Sequence, residues 1–125
     1  MAKKPFRSLH TSPGFTAFVL DQLAGLGDVT TRSMFGGVGL YRGDLFFAIV
    51  ARDVLYLKVD DETRGSFERI GSRPFRPYPD RPGSMQYYDV PLAVLEDADD
   101  LLRRARGAVA AAQRGGEKKS TRRRR

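Results

Sequence analysis

"VGLYRGDLFFAIVARDVLYLKVD", residues 38–60, is the stretch whose reading decides the fold. Two turn-forming triplets, Arg42-Gly43-Asp44 and Ala51-Arg52-Asp53, cut it into three runs. Gly43 takes a positive φ at no steric cost, which suits a tight turn. In the last run Leu55, Leu57 and Val59 alternate with Val54, Tyr56 and Lys58, the period of a strand with one face in a core. Connections this short join antiparallel neighbours. The middle run, "LFFAIV", is apolar on both sides: Leu45, Phe47 and Ile49 on one, Phe46, Ala48 and Val50 on the other. Such a strand needs cover on both faces of its sheet. Helices supply one cover. A second copy of the chain supplies the other, with Tyr41, Tyr56 and Tyr88 extending that surface, so a homodimer is expected. The alternative is the first or last helix wrapped over the same face.

Outward from this meander the signals become helical. Upstream, Ser12 is placed to cap a helix that begins at Pro13. Phe15, Phe18, Val19, Gln22 and Leu23 follow at helical spacing, with Gln22 the polar exception, and Gly25 and Gly27 end the run. "VTTRSMF" then reads as a short strand or as the start of a long bent one. Downstream, Asp60-Asp61-Glu62 head a short helix with Thr63, Phe67 and Ile70 on one side. "PFRPYPDRPG" reads as an edge strand and a loop, "SMQYYDV" as a last strand, and Pro91 restarts helix. Asp97 caps a final helix whose apolar stripe is Leu102, Ala105, Val109 and Ala112. The order is α-β(3–4)-α-β2-α: an α+β domain with a sheet of about five antiparallel strands and helices on one face.

The glycines of "RSMFGGVGLY", residues 32–41, invite a phosphate-loop reading. Such a loop needs a helix to follow, so that helical N–H groups face the anion. Here a hairpin follows. The glycines are read instead as a bulge or a close backbone contact beneath a packed helix.

With 125 residues the chain holds one domain and one core. It has no cysteine, which excludes disulfides, a cysteine nucleophile and thiolate metal sites. Its longest apolar run, "LFFAIVA" at 45–51, is far short of the roughly 20 residues of a membrane-spanning helix. "MAKKPFRSLH" lacks the apolar core of a secretory signal, so a cytoplasmic location is expected. The net charge of +7 is unevenly placed: residues 1–7 carry +3 and residues 114–125 carry +6, leaving −2 on residues 8–113. The expected organisation is a disordered basic arm (1–10), the α+β domain (11–113) and a disordered basic tail (114–125).

The chemistry-bearing residues point away from catalysis. The sole histidine, His10, lies in the arm. The acidic groups at 60–62 and 97–100 head helices, where capping explains them. No nucleophile–base set and no metal-ligand spacing is visible, so neither enzyme activity nor a cofactor or metal is expected. A carboxylate-based pocket assembled by folding is the enzymatic alternative. In the tail, Lys118, Lys119, Arg122, Arg123, Arg124 and Arg125 can neutralise DNA or RNA phosphates without reading sequence. A purely tail-driven nucleic-acid binder is the other alternative.

Four landmarks occur in one order: "RSMFGG", "LYLKVD", G-S-x-P-F at 71–75 and S-M-x-Y-Y-x-V-P at 84–91. Together, from about Gly14 to Ala112, they make the chain similar to the N-terminal domain of the TfoX/Sxy family, regulators of competence for DNA transformation. The resemblance implies a secretion-chaperone-like α+β fold that dimerises, and a role in transcription regulation with a protein partner. Full-length members add a helical C-terminal domain and act with a cyclic-AMP receptor protein. After Gln113 only a basic segment follows here, so a stand-alone, single-domain member is expected. The motif residues singled out are Arg32, Met34, Phe35, Gly36, Gly37, Leu57, Lys58, Phe75, Met85, Tyr87 and Tyr88. Of these, Arg32 and Lys58, polar among apolar neighbours, are the candidate partner contacts.

Overall fold

The computed structural model describes residues 9–76 and 86–123. Helix α1 (Pro13–Gln22) passes through a 3-10 turn (Ala24–Leu26) into strands β1 (Val29–Met34), β2 (Gly37–Arg42), β3 (Leu45–Ala51) and β4 (Val54–Lys58). Helix α2 (Arg64–Glu68), strand β5 (Tyr87–Asp89), helix α3 (Leu92–Leu95) and the long helix α4 (Ala98–Arg123) complete the chain. The strands pair antiparallel in the order β1-β2-β3-β4-β5. The α+β class and the five-stranded sheet match the sequence reading. The edge strand expected at "PFRPYPDRPG" is present as a single bridge, Pro74 to Tyr88; its later residues lie outside the described ones.

Local chemistry sets the helix starts. The Ser12 hydroxyl accepts from the Phe15 N–H at 3.3 Å, and Asp97 Oδ1 accepts from the Asp100 N–H at 3.2 Å. Each satisfies an N–H that the first helical turn leaves without a partner. The polar exception in α1 has a role: Gln22 Nε2 donates to the Leu95 carbonyl at 3.0 Å, at the end of α3. The turn between β3 and β4 places Arg52 (φ 51°) and Asp53 (φ 59°) in the left-handed region, as a two-residue hairpin turn requires.

Helices α1 and α4 bury one sheet face. Leu40, Ala48, Val50, Leu55 and Leu57 cluster with Val19 and Leu23 of α1 and with Leu101, Ala105 and Ala108 of α4. The alternation expected along "LFFAIV" is broken. Leu40 pairs with Ala48 and Tyr41 with Phe46, so Phe47 is an extra residue in β3, a bulge. Phe47 therefore joins Ala48 and Val50 on the helix side. Ile49 and Ala51 lie on the opposite face with Tyr87, beneath Leu9 and Phe75.

That opposite face is partly covered from within the chain, by a segment that is neither a helix nor a second copy. Ile49 and Ala51 are fully buried within one chain. Leu9, placed by the sequence reading in a disordered arm, is itself buried; its N–H donates to the Phe35 carbonyl at 2.8 Å and its carbonyl accepts from Arg52 N. Residues 1–8 lie outside the described ones. Tyr41 and Tyr56 do sit on this face, but Tyr88 pairs with Leu57 on the helix side and Tyr87 takes its place.

Helix α4 continues past Gln113, where the apolar pattern stops, to Arg123. An ion pair holds the start of this continuation. Arg114 Nε reaches Asp60 Oδ2 at 2.6 Å and Glu62 Oε2 at 3.1 Å, and its Nη2 reaches Asp60 Oδ1 at 3.1 Å. Among the described residues no helix is long and apolar enough to cross a membrane.

Candidate functional site

The motif "RSMFGG" folds as the β1–β2 hairpin at one edge of the sheet. Four consecutive β1 residues, Thr30 to Ser33, are exposed, so this strand offers an unpaired edge. At its tip Phe35 has φ 53° and is 65% exposed. A left-handed backbone at a bulky residue costs of order 1–2 kcal/mol, and an exposed ring recovers little of that by burial. A groove of about 420 Å³ runs between this hairpin and α1. Pro13, Ala17 and Leu20 form one wall; Ser33, Gly36 and Val38 form the other.

The motif glycines serve packing. A Cβ on Gly37 would lie 2.6 Å from the Val50 carbonyl and 3.1 Å from Leu9 Cβ, closer than any side chain tolerates. The close approach read from the sequence is real, but the partner is the segment at Leu9 and not a helix. On Gly39 a Cβ would meet Phe46 at 3.0 Å and the Met34 sulfur at 3.1 Å. These strand glycines make room for neighbours, as strand glycines commonly do.

A pin that the sequence reading missed holds the segment before α1. Asp53 Oδ1 accepts from the Thr11 hydroxyl at 2.7 Å, the Ser12 N–H at 2.7 Å and the Ser12 hydroxyl at 3.1 Å. These bonds, the Ser12 N–H foremost, hold the Asp53 carboxyl below its ordinary pKa. The signal available in sequence was an aspartate in a two-residue turn, which has a local explanation and hides a partner 41 residues away.

Motif residues from three strands meet on the face opposite the helices. The Arg32 guanidinium lies 5.0 Å from the Tyr41 ring centroid. Tyr41 stacks on Phe46 at 4.9 Å, and Phe46 meets Tyr87 at 5.3 Å. The Lys58 ammonium lies 5.0 Å from the Tyr87 ring. Cations over ring faces are attracted by the ring quadrupole. The Tyr87 hydroxyl donates to the Phe46 carbonyl at 3.3 Å, and burial raises its pKa well above the usual phenol value. Phe75 packs on Tyr56 at 4.8 Å. The row therefore brings together Arg32, Lys58 and Tyr87, with Met34 beside it at Gly39. Tyr88 is on the other face, where its hydroxyl donates to Glu68 Oε2 at 3.2 Å, and Leu57 is in the helix-side core. Met85 lies outside the described residues.

The acidic groups at 60–62 are occupied. Asp60 faces Arg114 and accepts from the N–H groups of Glu62 and Thr63, which together lower its pKa to about 2. Asp61 pairs with Arg64 at 2.8 Å. Among the described residues no three metal-ligating side chains gather, and His10 is exposed. Lys118, Lys119, Arg122 and Arg123 fall within the span of α4; Arg124 and Arg125 lie outside the described residues.

The model of the TfoX N-terminal domain family matches residues 21–112, most of the chain. DNA transformation protein TfoX1 of Aliivibrio fischeri is 41% identical over 51 residues. That stretch is 41% of this chain and 24% of that protein, so the similarity spans about a quarter of the relative's length.

Proposed function

Because the chain belongs to the TfoX N-terminal domain family, we propose that it is a non-enzymatic regulatory module for DNA transformation that works by binding a protein partner at the β1–β2 hairpin. The observation that carries this reading is Phe35. Phe35 and Gly36 (φ 90°) form the two-residue turn between β1 and β2, which requires the left-handed region; a large apolar ring held 65% exposed at that tip, where glycine would suit the backbone better, is what a partner contact uses. The unpaired β1 edge and the apolar groove beside it give a partner backbone hydrogen bonds and a place for side chains.

Deletion of the gene tests the reading. Transformation frequency and transcripts of DNA-uptake genes are expected to fall at least tenfold while growth stays normal, and restoration by the wild-type chain is expected. Unchanged frequency and unchanged transcripts would sink it.

A second, compatible activity is favoured by the helical continuation of α4. Lys118, Lys119, Arg122 and Arg123 lie within a helical span that starts at the Arg114 anchor, which supports a nucleic-acid tether next to the domain. If about six cations neutralise phosphates, log K for duplex DNA falls with log salt at a slope of about −5. A chain lacking residues 117–125 then loses the binding. Duplex binding that survives this truncation, or that ignores salt, removes the tether.

A further inference from the structure

We propose that the groove between the 3-10 turn, the end of β2 and α4 is a binding site for a phosphate monoester, held by Arg42 and Arg106. This site is on the helix side of the sheet, at the end of the β1–β2 hairpin away from its Phe35 tip, and its case does not depend on the regulatory reading.

The groove has a volume of about 490 Å³. Leu26, Val109 and Ala110 give it an apolar lining; Arg42, Arg106 and Gln113 supply its polar groups. Arg42 is oriented by the backbone. Its Nε donates to the carbonyls of Leu26 and Gly27, both at 3.3 Å. That fixes the plane of the guanidinium and leaves its two Nη groups for another acceptor, since a guanidinium carries five N–H donors in a rigid fork. The same two bonds use carbonyls at the groove rim, so the charged groups left over are donors.

Among the arginines of α4 up to Arg114, Arg106 is the exception. Arg103 and Arg104 face Asp100, and Arg114 faces Asp60 and Glu62. Arg106 has no carboxylate within ion-pair distance among the described residues, and neither has Arg42. Two arginines with no carboxylate partner among the described residues thus line one groove. An oxyanion held there accepts from both forks, the pairing in which arginine binds phosphate best. A dianion with three terminal oxygens suits two guanidiniums and the Gln113 carboxamide; a single carboxylate saturates only one fork. The apolar lining accommodates the rest of a small ester, and concave sites of this size take small ligands rather than a duplex.

Titration of the full chain by calorimetry at low ionic strength, in a buffer free of oxyanions, tests the site. The probes are inorganic phosphate, glycerol phosphate and acetate. Binding of glycerol phosphate with a Kd of order 1 mM or tighter is expected, with inorganic phosphate weaker or equal and acetate at least tenfold weaker. Arg106→Gln is expected to weaken glycerol phosphate at least tenfold, and Arg106→Lys less than that. Arg106 is exposed, so these variants fold; circular dichroism and a melting curve check it. Replacing residues 118–123 by neutral ones leaves the affinity unchanged if the groove is the site. No binding of any phosphate, equal binding of acetate, or an affinity that ignores Arg106→Gln and follows the 118–123 charges would each overturn the proposal. None of these outcomes bears on transformation frequency, so the two readings fail separately.

Discussion

Replacing Phe35 by glycine separates a functional ring from a structural one. At φ 53° the change removes a strain of about 1–2 kcal/mol. About a third of the side chain is covered, since it is 65% exposed, so the burial lost is about a third of the ~2–3 kcal/mol of a fully buried phenylalanine. Glycine adds freedom to the unfolded chain, a further loss of about 0.4–1 kcal/mol. The gain and the two losses nearly cancel, and stability is expected to stay within about 1 kcal/mol of wild type. Urea denaturation reads this directly, with an unchanged slope. Transformation frequency is expected to fall at least tenfold in the same variant. A partner contact thus predicts lost function in a protein of normal stability. If Phe35→Gly loses more than about 2 kcal/mol, the ring holds the hairpin and its exposure is incidental. If frequency is unchanged, the tip is not the contact.

Gly37→Ala is expected to destabilise by about 1–3 kcal/mol through overpacking, because the new Cβ meets the Val50 carbonyl at 2.6 Å; denaturant titration checks it. Asp60 has a lowered folded-state pKa of about 2 against an ordinary 3.8. Its contribution is therefore complete above the ordinary value and is lost as pH falls from about 4 to about 2. Asp60→Asn should cost about 1–2 kcal/mol at pH 7 and cost progressively less across that acid window, seen as converging denaturation midpoints. A difference that persists undiminished at the acid end would show that Asp60 acts through its cap geometry alone. Asp53→Ala should speed amide hydrogen exchange at Ser12 and Leu9 while leaving the α4 core amides protected; uniform loss of protection would mean that the pin supports the whole fold.

Much of the fold was legible in sequence because it is written in short-range chemistry. Ser12 and Asp97 cap helices through bonds spanning three residues. Gly43 and Arg52-Asp53 turn the chain where the runs break. The alternation of Leu55, Leu57 and Val59 places them on one face, and all three are buried. The misreadings came where a distant partner decides. Strict alternation put Phe47 with Ile49, but the pairing with β2 inserts a bulge that turns Phe47 to the helix side. Tyr87 and Tyr88 are adjacent, and only the register with β4 says which of them faces the helices. Of the candidate site, the close backbone approach at the glycines was readable from "RSMFGG"; the hairpin at Phe35-Gly36, the row from Arg32 to Lys58 and the groove shared by Arg42 and Arg106 were not.

By itself, then, the sequence determined the class of the domain, the antiparallel meander, the helix starts and the family resemblance, because period, turn chemistry and caps act over a few residues. The tertiary structure alone decided what covers each sheet face. Leu9 and Phe75 cover part of the face expected to need a second copy, and Arg114 meets Asp60, 54 residues away, where the apolar stripe of α4 ends. Burial and ion pairing are properties of groups brought together by the whole fold, and no local pattern encodes which groups those are.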